Sequence, residues 1–270
     1  MDNHGNPLRP SATLPVRGPT SGPSRRTDPG SSRSSRRTDH GSGPGVITPD
    51  GCAVELYALL PPMGEPEVVH GAVPARASIL ELGAGAGRMT ARLVELGHAV
   101  VAVDESAEML AHVRGAETVR ARIQDLELDR RFDVVLLASH LVNTPDRDLR
   151  TGFLRACRAH VRDGGQVLVQ RHPPAWFDEA AEGERTTGGI TFRLRDLARP
   201  GPGLLAATAE YQVGQRVWTQ RFTTERLDDG ALAAALAVAG LAVDAYLTGD
   251  GSWVRAVPSD RGEALGRSPR

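Results

Sequence analysis

The stretch Ser78-Ile-Leu-Glu-Leu-Gly-Ala-Gly-Ala-Gly-Arg-Met-Thr90 decides the fold of this chain. Its first residues, 79–82, predict a short buried strand that is apolar apart from Glu81. Three alternating glycines follow the strand: Gly83, Gly85 and Gly87. A helical pattern then runs over residues 89–96 and stops at Gly97. Strand, glycine turn and helix open a nucleotide-binding α/β unit, because glycine permits a tight turn and lets a ligand approach bare backbone.

The residues around this turn indicate which nucleotide is bound. A second strand pattern ends at Asp104, roughly 20 residues after the glycines, where such folds place the carboxylate that holds ribose hydroxyls. The dinucleotide fingerprint needs Gly or Ala at position 88, where this chain has Arg88. Glu81 lies just before the turn, and its carboxylate would repel a pyrophosphate but not a cation. We therefore expect a ribose-bearing, positively charged ligand without phosphates, which S-adenosylmethionine fits.

Two segments resemble a known family. Glu81-Leu-Gly-Ala-Gly-Ala-Gly87, with Asp104 closing the next strand, resembles the first two motifs of the class I S-adenosylmethionine-dependent methyltransferases. Gln170-Arg-His-Pro-Pro-Ala-Trp-Phe177 is similar to the corresponding stretch of sugar-amine and glycine N-methyltransferases, in which a three-stranded insertion roofs the acceptor. Ala138-Ser-His-Leu141 stands where other N-methyltransferases carry Asn-Pro-Pro-Tyr, which argues against nucleobase and glutamine-amide targets.

Composition limits the partners. The net charge of −1 gives no global reason to bind nucleic acid or an anionic membrane. Two cysteines are too few for a disulfide framework and favour a reducing compartment. No run of about 18 apolar residues and no apolar secretory segment is present, so we expect a soluble, cytoplasmic protein. We expect a small-molecule substrate and no metal, and leave a homodimer open.

The chain divides by composition into tails and one domain. Residues 1–46, rich in Gly, Pro, Ser and Arg, are expected to be a disordered tail, as are residues 261–270. The methyltransferase domain is expected over residues 47–260, with an insertion at about 178–226 that roofs the substrate.

The domain predicts an α/β fold. Strands alternating with helices indicate a Rossmann-like, doubly wound parallel sheet. Three successive strand patterns within residues 189–225 predict an inserted antiparallel meander. Two final patterns, at 241–247 and 253–257, predict a closing antiparallel hairpin, which the resemblance also implies.

The cofactor should lie across the carboxyl ends of the parallel strands. Asp104 is expected to hold both ribose hydroxyls, and the resemblance implies that Asp125 reads the adenine amino group, unless it only caps a helix. Tyr57, on a predicted helix over 52–60, either closes over the cofactor or packs in the core. Arg88 either meets the cofactor carboxylate or a substrate anion, or is a solvated residue of the first helical turn. The expected cofactor-binding residues are Tyr57, Glu81, Gly83, Ala84, Gly85, Gly87, Arg88, Asp104, Glu105, Met109, Gln124, Asp125, Leu126, Ala138 and Ser139.

Methyl transfer asks little chemistry of the protein. It is an in-line displacement at a sulfonium carbon, so the protein mainly supplies alignment and a dry cavity. A base is needed only when the nucleophile arrives protonated, and His140 and His172 follow the fourth and fifth strands, where they could serve. Asn143 is expected to orient the substrate. Trp176, Phe177 and Trp218 suit a small, partly apolar acceptor or belong to the core.

The sequence thus predicts an S-adenosylmethionine-dependent methyltransferase that acts on nitrogen or oxygen of a small metabolite in biosynthesis. One alternative uses the same cofactor for cyclisation, which would release methylthioadenosine in place of S-adenosylhomocysteine. A second is a non-catalytic cofactor-binding subunit, and a third is a nicotinamide oxidoreductase.

Overall fold

The computed structural model describes residues 40–259, so the first 39 residues of the tail predicted at 1–46 and the whole of the tail predicted at 261–270 lie outside this range. Within it, twelve strands are, in chain order, β1 (His40–Ser42), β2 (Ser78–Leu82), β3 (Ala99–Asp104), β4 (Glu117–Arg120), β5 (Phe132–Leu137), β6 (Val161–Gln170), β7 (Gly183–Thr187), β8 (Ile190–Ala198), β9 (Leu204–Val213), β10 (Arg216–Glu225), β11 (Leu241–Tyr246) and β12 (Trp253–Pro258). The helices of the same range are α1 (Val54–Leu59), α2 (Glu65–Ala72), α3 (Arg88–Glu95), α4 (Ala107–Leu110), α5 (Arg147–His160), α6 (Trp176–Glu179) and α7 (Asp229–Val238).

The central sheet has seven strands in the order β11-β12-β6-β5-β2-β3-β4. Strands β2 to β6 pair in parallel, whereas β12 runs antiparallel to both β6 and β11. This confirms the predicted doubly wound sheet and its closing hairpin. Strand β4 has only four residues and stops at Arg120, because a 3₁₀ turn begins at Ile123.

Both faces of this sheet are buried, as the apolar strands predict. On one face Leu80 and Leu137 pack against Leu154 of α5 and Leu236 of α7. On the other, Ile79, Val134 and Leu136 pack against Met89 and Leu93 of α3 and Val69 of α2. Alternate residues of one strand therefore serve two cores, which holds the carboxyl ends of the strands at one rigid edge.

The second sheet, named here the roof sheet, consists of β1, β10, β9, β8 and β7 in that order, all antiparallel. It contains the predicted meander plus two unpredicted edge strands. Strand β1 lies inside the segment 1–46 that is expected to be a tail. Its sequence, His-Gly-Ser, has no strand signal of its own, and its pairing depends on the free edge of β10.

Helix α2 is a further element that the sequence did not predict. It begins after Gly64, whose φ of 92° breaks the chain direction, and it contains proline near its start. Proline is tolerated in the first turn, where its missing N–H has no partner to lose. None of the helices within residues 40–259 is both long and apolar enough to cross a bilayer.

Candidate active site

A cleft of about 3110 Å³ lies between the carboxyl ends of the central sheet and the roof sheet. Pockets for a single drug-sized ligand measure about 300–1,000 Å³, so this space has room for a cofactor and an acceptor together. The predicted residues that line it are Tyr57, Glu81, Gly83, Ala84, Gly85, Arg88, Asp104, Glu105, Met109, Gln124, Ser139, His140, Asn143, His172 and Trp176. Sequence reasoning therefore located the cleft.

The glycines of the turn after β2 have two structural roles: they permit the tight turn, and they leave backbone open to a ligand. Gly83, Gly85 and Gly87 all have positive φ, at 71°, 56° and 82°. A Cβ on Gly85 would meet no protein atom within 4 Å, so this peptide faces open space that a ligand can occupy. A Cβ on Gly87 would lie 3.1 Å from the Val113 side chain instead. Gly87 therefore serves the turn and its packing, and it does not line the cleft.

Asp104 is oriented by the backbone at the end of β3. One carboxylate oxygen accepts from the Gly85 N–H and the other from the Ser106 N–H, both at 2.9 Å. The glycine turn and the carboxylate are thus held in one geometry. A carboxylate oxygen can accept more than one hydrogen bond, so this arrangement fits a vicinal diol such as ribose.

Glu81 supplies a buried carboxyl group on β2. Its side chain accepts a hydrogen bond of 2.6 Å from the Thr90 hydroxyl and is 3% exposed. Burial raises its pKa to about 7, although the Thr90 hydrogen bond opposes this shift. A carboxyl group with a pKa near neutrality ionises readily when a cation enters beside it, so Glu81 fits a cationic cofactor.

Two predicted residues of the cleft wall have partners within the protein. Arg88 forms an ion pair of 2.7 Å with Glu65 of α2, so its charge is already balanced by that helix. The Tyr57 hydroxyl donates to Gln220 of β10 at 3.0 Å, which ties α1 to the roof sheet.

Besides Gly87, three predicted cofactor residues lie outside the cleft. Asp125 ends the 3₁₀ turn Ile123–Asp125, where its side chain is 61% exposed and pairs with Arg122 at 3.5 Å. Leu126 is buried in the core. Ala138 is also buried, and its carbonyl accepts from the Leu141 N–H at 3.2 Å. The 3₁₀ turn therefore brings Gln124 rather than Asp125 to the cleft.

His140, His172 and Trp176 form a stack of three rings at the ends of β5 and β6. The His140 and His172 centroids are 3.9 Å apart, the His172 and Trp176 centroids are 4.3 Å apart, and both pairs are within 14° of parallel. Ser139 and His140 have φ values of 54° and 57°, a left-handed conformation uncommon for residues with side chains. Such strain occurs where the surrounding structure requires it.

The imidazoles of His140 and His172 both have lowered pKa values, but their ring nitrogens differ in how far they are buried. Burial lowers the pKa of His140 to about 4 and that of His172 well below its ordinary value. His140 Nδ1 is buried without a hydrogen-bond partner among the described residues. The His172 ring forms no hydrogen bond within residues 40–259 either, yet its nitrogens are not enclosed, and the residue lines the cleft. His172 therefore presents the more accessible lone pair.

Two of the expected substrate residues, Asn143 and Phe177, contact other parts of the protein. Asn143 reaches the cleft, but its side chain is bonded to the backbone of two other segments. Its amide oxygen accepts from the backbone N–H of His172, and its amide nitrogen donates to the backbone carbonyl of Glu225, both at 2.9 Å. It ties three chain segments together. Phe177 packs with Leu194 and Leu205 inside the roof, and Trp218 is 1% exposed, so neither aromatic residue lines the cleft.

Sequence reasoning missed the residues that the roof contributes. Phe192, Tyr211, Gln220 and Phe222 line the cleft from β8, β9 and β10. Gln220 and Phe222 are two residues apart on β10, as are Phe192 and Leu194 on β8 and Ala209 and Tyr211 on β9, and this spacing is the signal of a shared face. That signal does not tell which face is turned inward, since both faces of these strands mix polar and apolar residues.

The cleft is strongly acidic. Three guanidinium groups line it, those of Arg88, Arg122 and Arg185. Ten acidic residues are among those that line it: Asp50, Glu65, Glu67, Glu81, Asp104, Glu105, Asp146, Glu182, Glu184 and Asp250. Acidic walls attract cations electrostatically. Within residues 40–259, no group of three His, Cys, Asp or Glu side chains is placed to hold a metal ion.

A seven-stranded α/β sheet with a closing hairpin and a glycine turn tied to an acidic strand end defines a nucleotide-dependent α/β enzyme. A family model described as a methyltransferase domain matches residues 79–165. An uncharacterized methyltransferase of Mycobacterium tuberculosis is 43% identical over 189 residues, which cover 66% of this chain and 73% of that protein. The chain belongs to the class I S-adenosylmethionine-dependent methyltransferases, with S-adenosylmethionine as its cofactor.

Other relatives differ in the atom their names specify. Cypemycin N-terminal methyltransferase of a Streptomyces species is 29% identical over 159 residues, which cover 54% of this chain and only 63% of that protein. The ubiquinone biosynthesis O-methyltransferase of Xanthomonas axonopodis pv. citri is 31% identical over 167 residues, which cover 56% of this chain and 68% of that protein.

Solved structures confirm the fold. An S-adenosylmethionine-dependent methyltransferase of Clostridium acetobutylicum matches with a TM-score of 0.60 at 14% identity, over 76% of this chain and 94% of that one. The sugar N-methyltransferase KedS8 of a Streptoalloteichus species matches with a TM-score of 0.57 at 23% identity. The match covers 72% of this chain and 85% of that one.

Proposed function

We propose that this enzyme methylates the amine nitrogen of a small molecule. The observation that carries the proposal is the acidic lining of the cleft, which has ten Asp and Glu residues against three Arg residues. Such walls concentrate a protonated amine, whereas a neutral hydroxyl acceptor gains nothing from them. The named N-terminal methyltransferase among the relatives supports nitrogen, and the named O-methyltransferase makes oxygen the outcome to test against.

The cofactor half of the cleft is assigned to the glycine turn and the carboxyl ends of β2 and β3. Asp104 would accept from the ribose hydroxyls, and Glu81 would balance the positive charge of the cofactor. Met109 would pack beside the adenine, and Gln124 would reach it from the 3₁₀ turn. The bound cofactor supplies a methyl group on a cationic sulfur, so no further activation of the methyl donor is asked of the protein.

His172 is proposed as the group that receives the proton of the acceptor. An ammonium ion has no lone pair, so one N–H proton must leave before its nitrogen can attack. Burial keeps His172 uncharged, and its ring nitrogens form no hydrogen bond with the described residues, so a lone pair is free to take that proton. The same lowered pKa makes His172 a weak base, so the transfer is uphill until the methyl transfer consumes the free amine. His140 stacks on one face of His172 and Trp176 on the other, which fixes the plane of the ring.

We also propose the setting in which the enzyme works. A metabolite acceptor and an acidic cleft favour biosynthetic methylation in the cytoplasm, without nucleic acid as a partner. The domain would begin at or before residue 40, and residues 183–225 would roof the acceptor. Light scattering would distinguish a monomer from a homodimer.

The experiment incubates the enzyme with S-adenosylmethionine and matched amine and alcohol acceptors, followed by mass spectrometry of both products. We expect S-adenosylhomocysteine and a methylated amine. Methylthioadenosine as the product would indicate cyclisation, cofactor binding without turnover would indicate a non-catalytic subunit, and preference for the alcohols would overturn the choice of nitrogen.

A variant pair tests the role of His172. His172→Asn should lower kcat about 10²-fold or more while the affinity for S-adenosylhomocysteine stays unchanged, because only the proton transfer is lost. His112→Asn is the matched control, since His112 is exposed and outside the cleft. An unchanged kcat in His172→Asn would remove this residue from catalysis.

A further inference from the structure

The inward face of the roof sheet carries one row of side chains that the proposed function does not use. Arg185 on the edge strand β7 lies opposite Phe192 on β8, and Phe192 lies opposite Tyr211 on β9. The Phe192 and Tyr211 rings are 5.1 Å apart, and all three residues line the cleft. The row therefore places a guanidinium group beside an aromatic pair on the side of the cleft opposite the central sheet.

Arg185 differs from the other cationic residues of the cleft. Arg88 pairs with Glu65 and Arg122 with Asp125. Arg185 forms no hydrogen bond or ion pair with any residue that the structure describes, although it is only partly exposed. The two acidic neighbours of Arg185 along the chain are occupied elsewhere. Glu184 pairs with Arg193 at 2.5 Å, and Glu182 accepts from the Leu197 N–H at 3.0 Å.

An unpaired, half-buried guanidinium is chemically specific. Its five donors form a planar fork that matches the oxygens of a carboxylate or phosphate group. The surrounding cleft is acidic, so an anionic group of a ligand would be repelled everywhere except beside such a cation. The charge of Arg185 reaches the aromatic pair, because it acts to lower the pKa of the Tyr211 phenol, which burial raises to about 12.

We propose that Arg185 binds an anionic group of the acceptor, a carboxylate or a phosphate, while the Phe192–Tyr211 pair holds the part of the acceptor next to it. This inference rests on the proposed function, since it divides the acceptor into an amine end near His172 and an anionic end under β7. The acceptor is then a zwitterionic amine, and Arg185 selects it over amines that have no negative charge.

The test titrates the protein, saturated with S-adenosylhomocysteine, with sodium phosphate and separately with sodium acetate at constant ionic strength. Binding is followed by the Nε–H resonances of the arginine side chains in two-dimensional NMR, and the resonance of Arg185 is assigned by its loss in Arg185→Gln. We expect that resonance to shift saturably in the wild type with at least one anion. In Arg185→Gln, residual anion binding, followed by other shifted resonances, should be at least about tenfold weaker, because a charge-assisted contact is removed.

A control variant separates this site from general surface charge. Arg195→Gln removes an arginine of the outer face of the roof sheet, 53% exposed and 3.6 Å from Glu210, and should leave the titration unchanged. Saturation by phosphate alone indicates a phosphorylated acceptor, and saturation by acetate alone indicates a carboxylate. Absence of saturation with both anions, or equal affinity in Arg185→Gln, overturns the proposal.

The titration is independent of turnover. If the enzyme methylates amines but the titration shows no phosphate or acetate bound at Arg185, the anion site alone is refuted. Anion binding at Arg185 without methyl transfer to any amine would refute the proposed function alone. Affinity for S-adenosylhomocysteine should stay the same in Arg185→Gln, which shows that the variant keeps its fold.

Discussion

At the scale of single residues, Asp104 is the sharpest test of the cofactor site. Asp104→Asn keeps one oxygen to accept from the Gly85 or Ser106 N–H but loses the charge and one acceptor. Hydrogen bonds to a charged group contribute about 1.5–3 kcal/mol, so calorimetry should show at least tenfold weaker binding of S-adenosylhomocysteine. Asp125→Asn is the control, because Asp125 lies on the surface. The affinity of this variant for S-adenosylhomocysteine should change less than about twofold. Equal effects of the two substitutions would contradict the site as described.

Glu81 predicts a pH dependence. Its pKa is raised to about 7 in the folded protein, against an ordinary 4.5, so the folded state retains a proton that the unfolded chain releases. This proton linkage lowers stability as pH rises from about 4.5 to 7. A bound cation favours the ionised form, so affinity for S-adenosylmethionine should rise with pH below 7, by up to about tenfold per pH unit, and level off above it. Calorimetry between pH 5.5 and 8.5 checks this, and Glu81→Gln should remove the slope; an unchanged slope would assign it to another group.

These two carboxylates could be predicted because their signals are local. Each stands at a fixed distance from the glycine turn within a strand–turn–strand unit. Asp125 carries no such constraint, because a single 3₁₀ turn decides whether it or Gln124 faces the cleft. Phe177 and Trp218 were ambiguous for a different reason. Aromatic side chains suit both a core and a ligand site, and only the packing of the roof decides between them.

At the scale of elements, the buried strands were predicted well, whereas helix α2 and the edge strands β1 and β7 were not. Buried parallel strands are continuous apolar runs, a strong signal that β2, β3 and β5 all carry. Helix α2 has eight residues and depends on Arg88 pairing with its Glu65, a contact between segments that no local pattern records. Strand β7, with the sequence Gly-Glu-Arg-Thr-Thr, has no apolar alternation and is ordered by its pairing with β8.

Arg171 joins three elements at the back of the site. Its guanidinium, 1% exposed, donates to the Gly251 and Leu227 carbonyls and pairs with Asp229, so it links β6 to the final hairpin and to α7. Arg171→Met should leave the Leu227 and Gly251 carbonyls without this donor and lower the free energy of unfolding by about 2–4 kcal/mol, as urea denaturation would show.

The matched control for Arg171 is an arginine on the surface. Arg92 is 40% exposed and pairs with Glu67 and Glu95, so Arg92→Met should change the free energy of unfolding by less than about 1 kcal/mol. A loss of similar size in both variants would show that the buried arginine does not hold these elements together.

At the scale of the whole molecule, the acceptor side of the cleft belongs to the roof sheet, and the roof depends on both of its edges. Strand β7 carries Arg185, and the opposite edge, β1, covers Trp218. The chain passes Trp218 so closely that a Cβ on Gly43 would lie 2.4 Å from its ring. The position of the domain boundary is therefore a question about the site as well as about the fold.

Two truncated chains, one beginning at His40 and one at Ile47, test that boundary. The shorter chain loses β1, the hydrogen bond of 2.9 Å from the Trp218 indole to the Pro44 carbonyl and that of 3.0 Å from the Val54 N–H to the Val46 carbonyl. An unpaired buried donor costs about 1–3 kcal/mol. The free energy of unfolding, measured by urea denaturation, should therefore be lower by at least that amount for the chain from Ile47 than for the chain from His40. Because both lack residues 1–39, their difference measures residues 40–46 alone. Gln220, which holds Tyr57, lies on the same strand as Trp218, so the KM for the acceptor should rise as well. Equal stability and equal KM in the two chains would place the start of the domain at 47, where composition alone puts it.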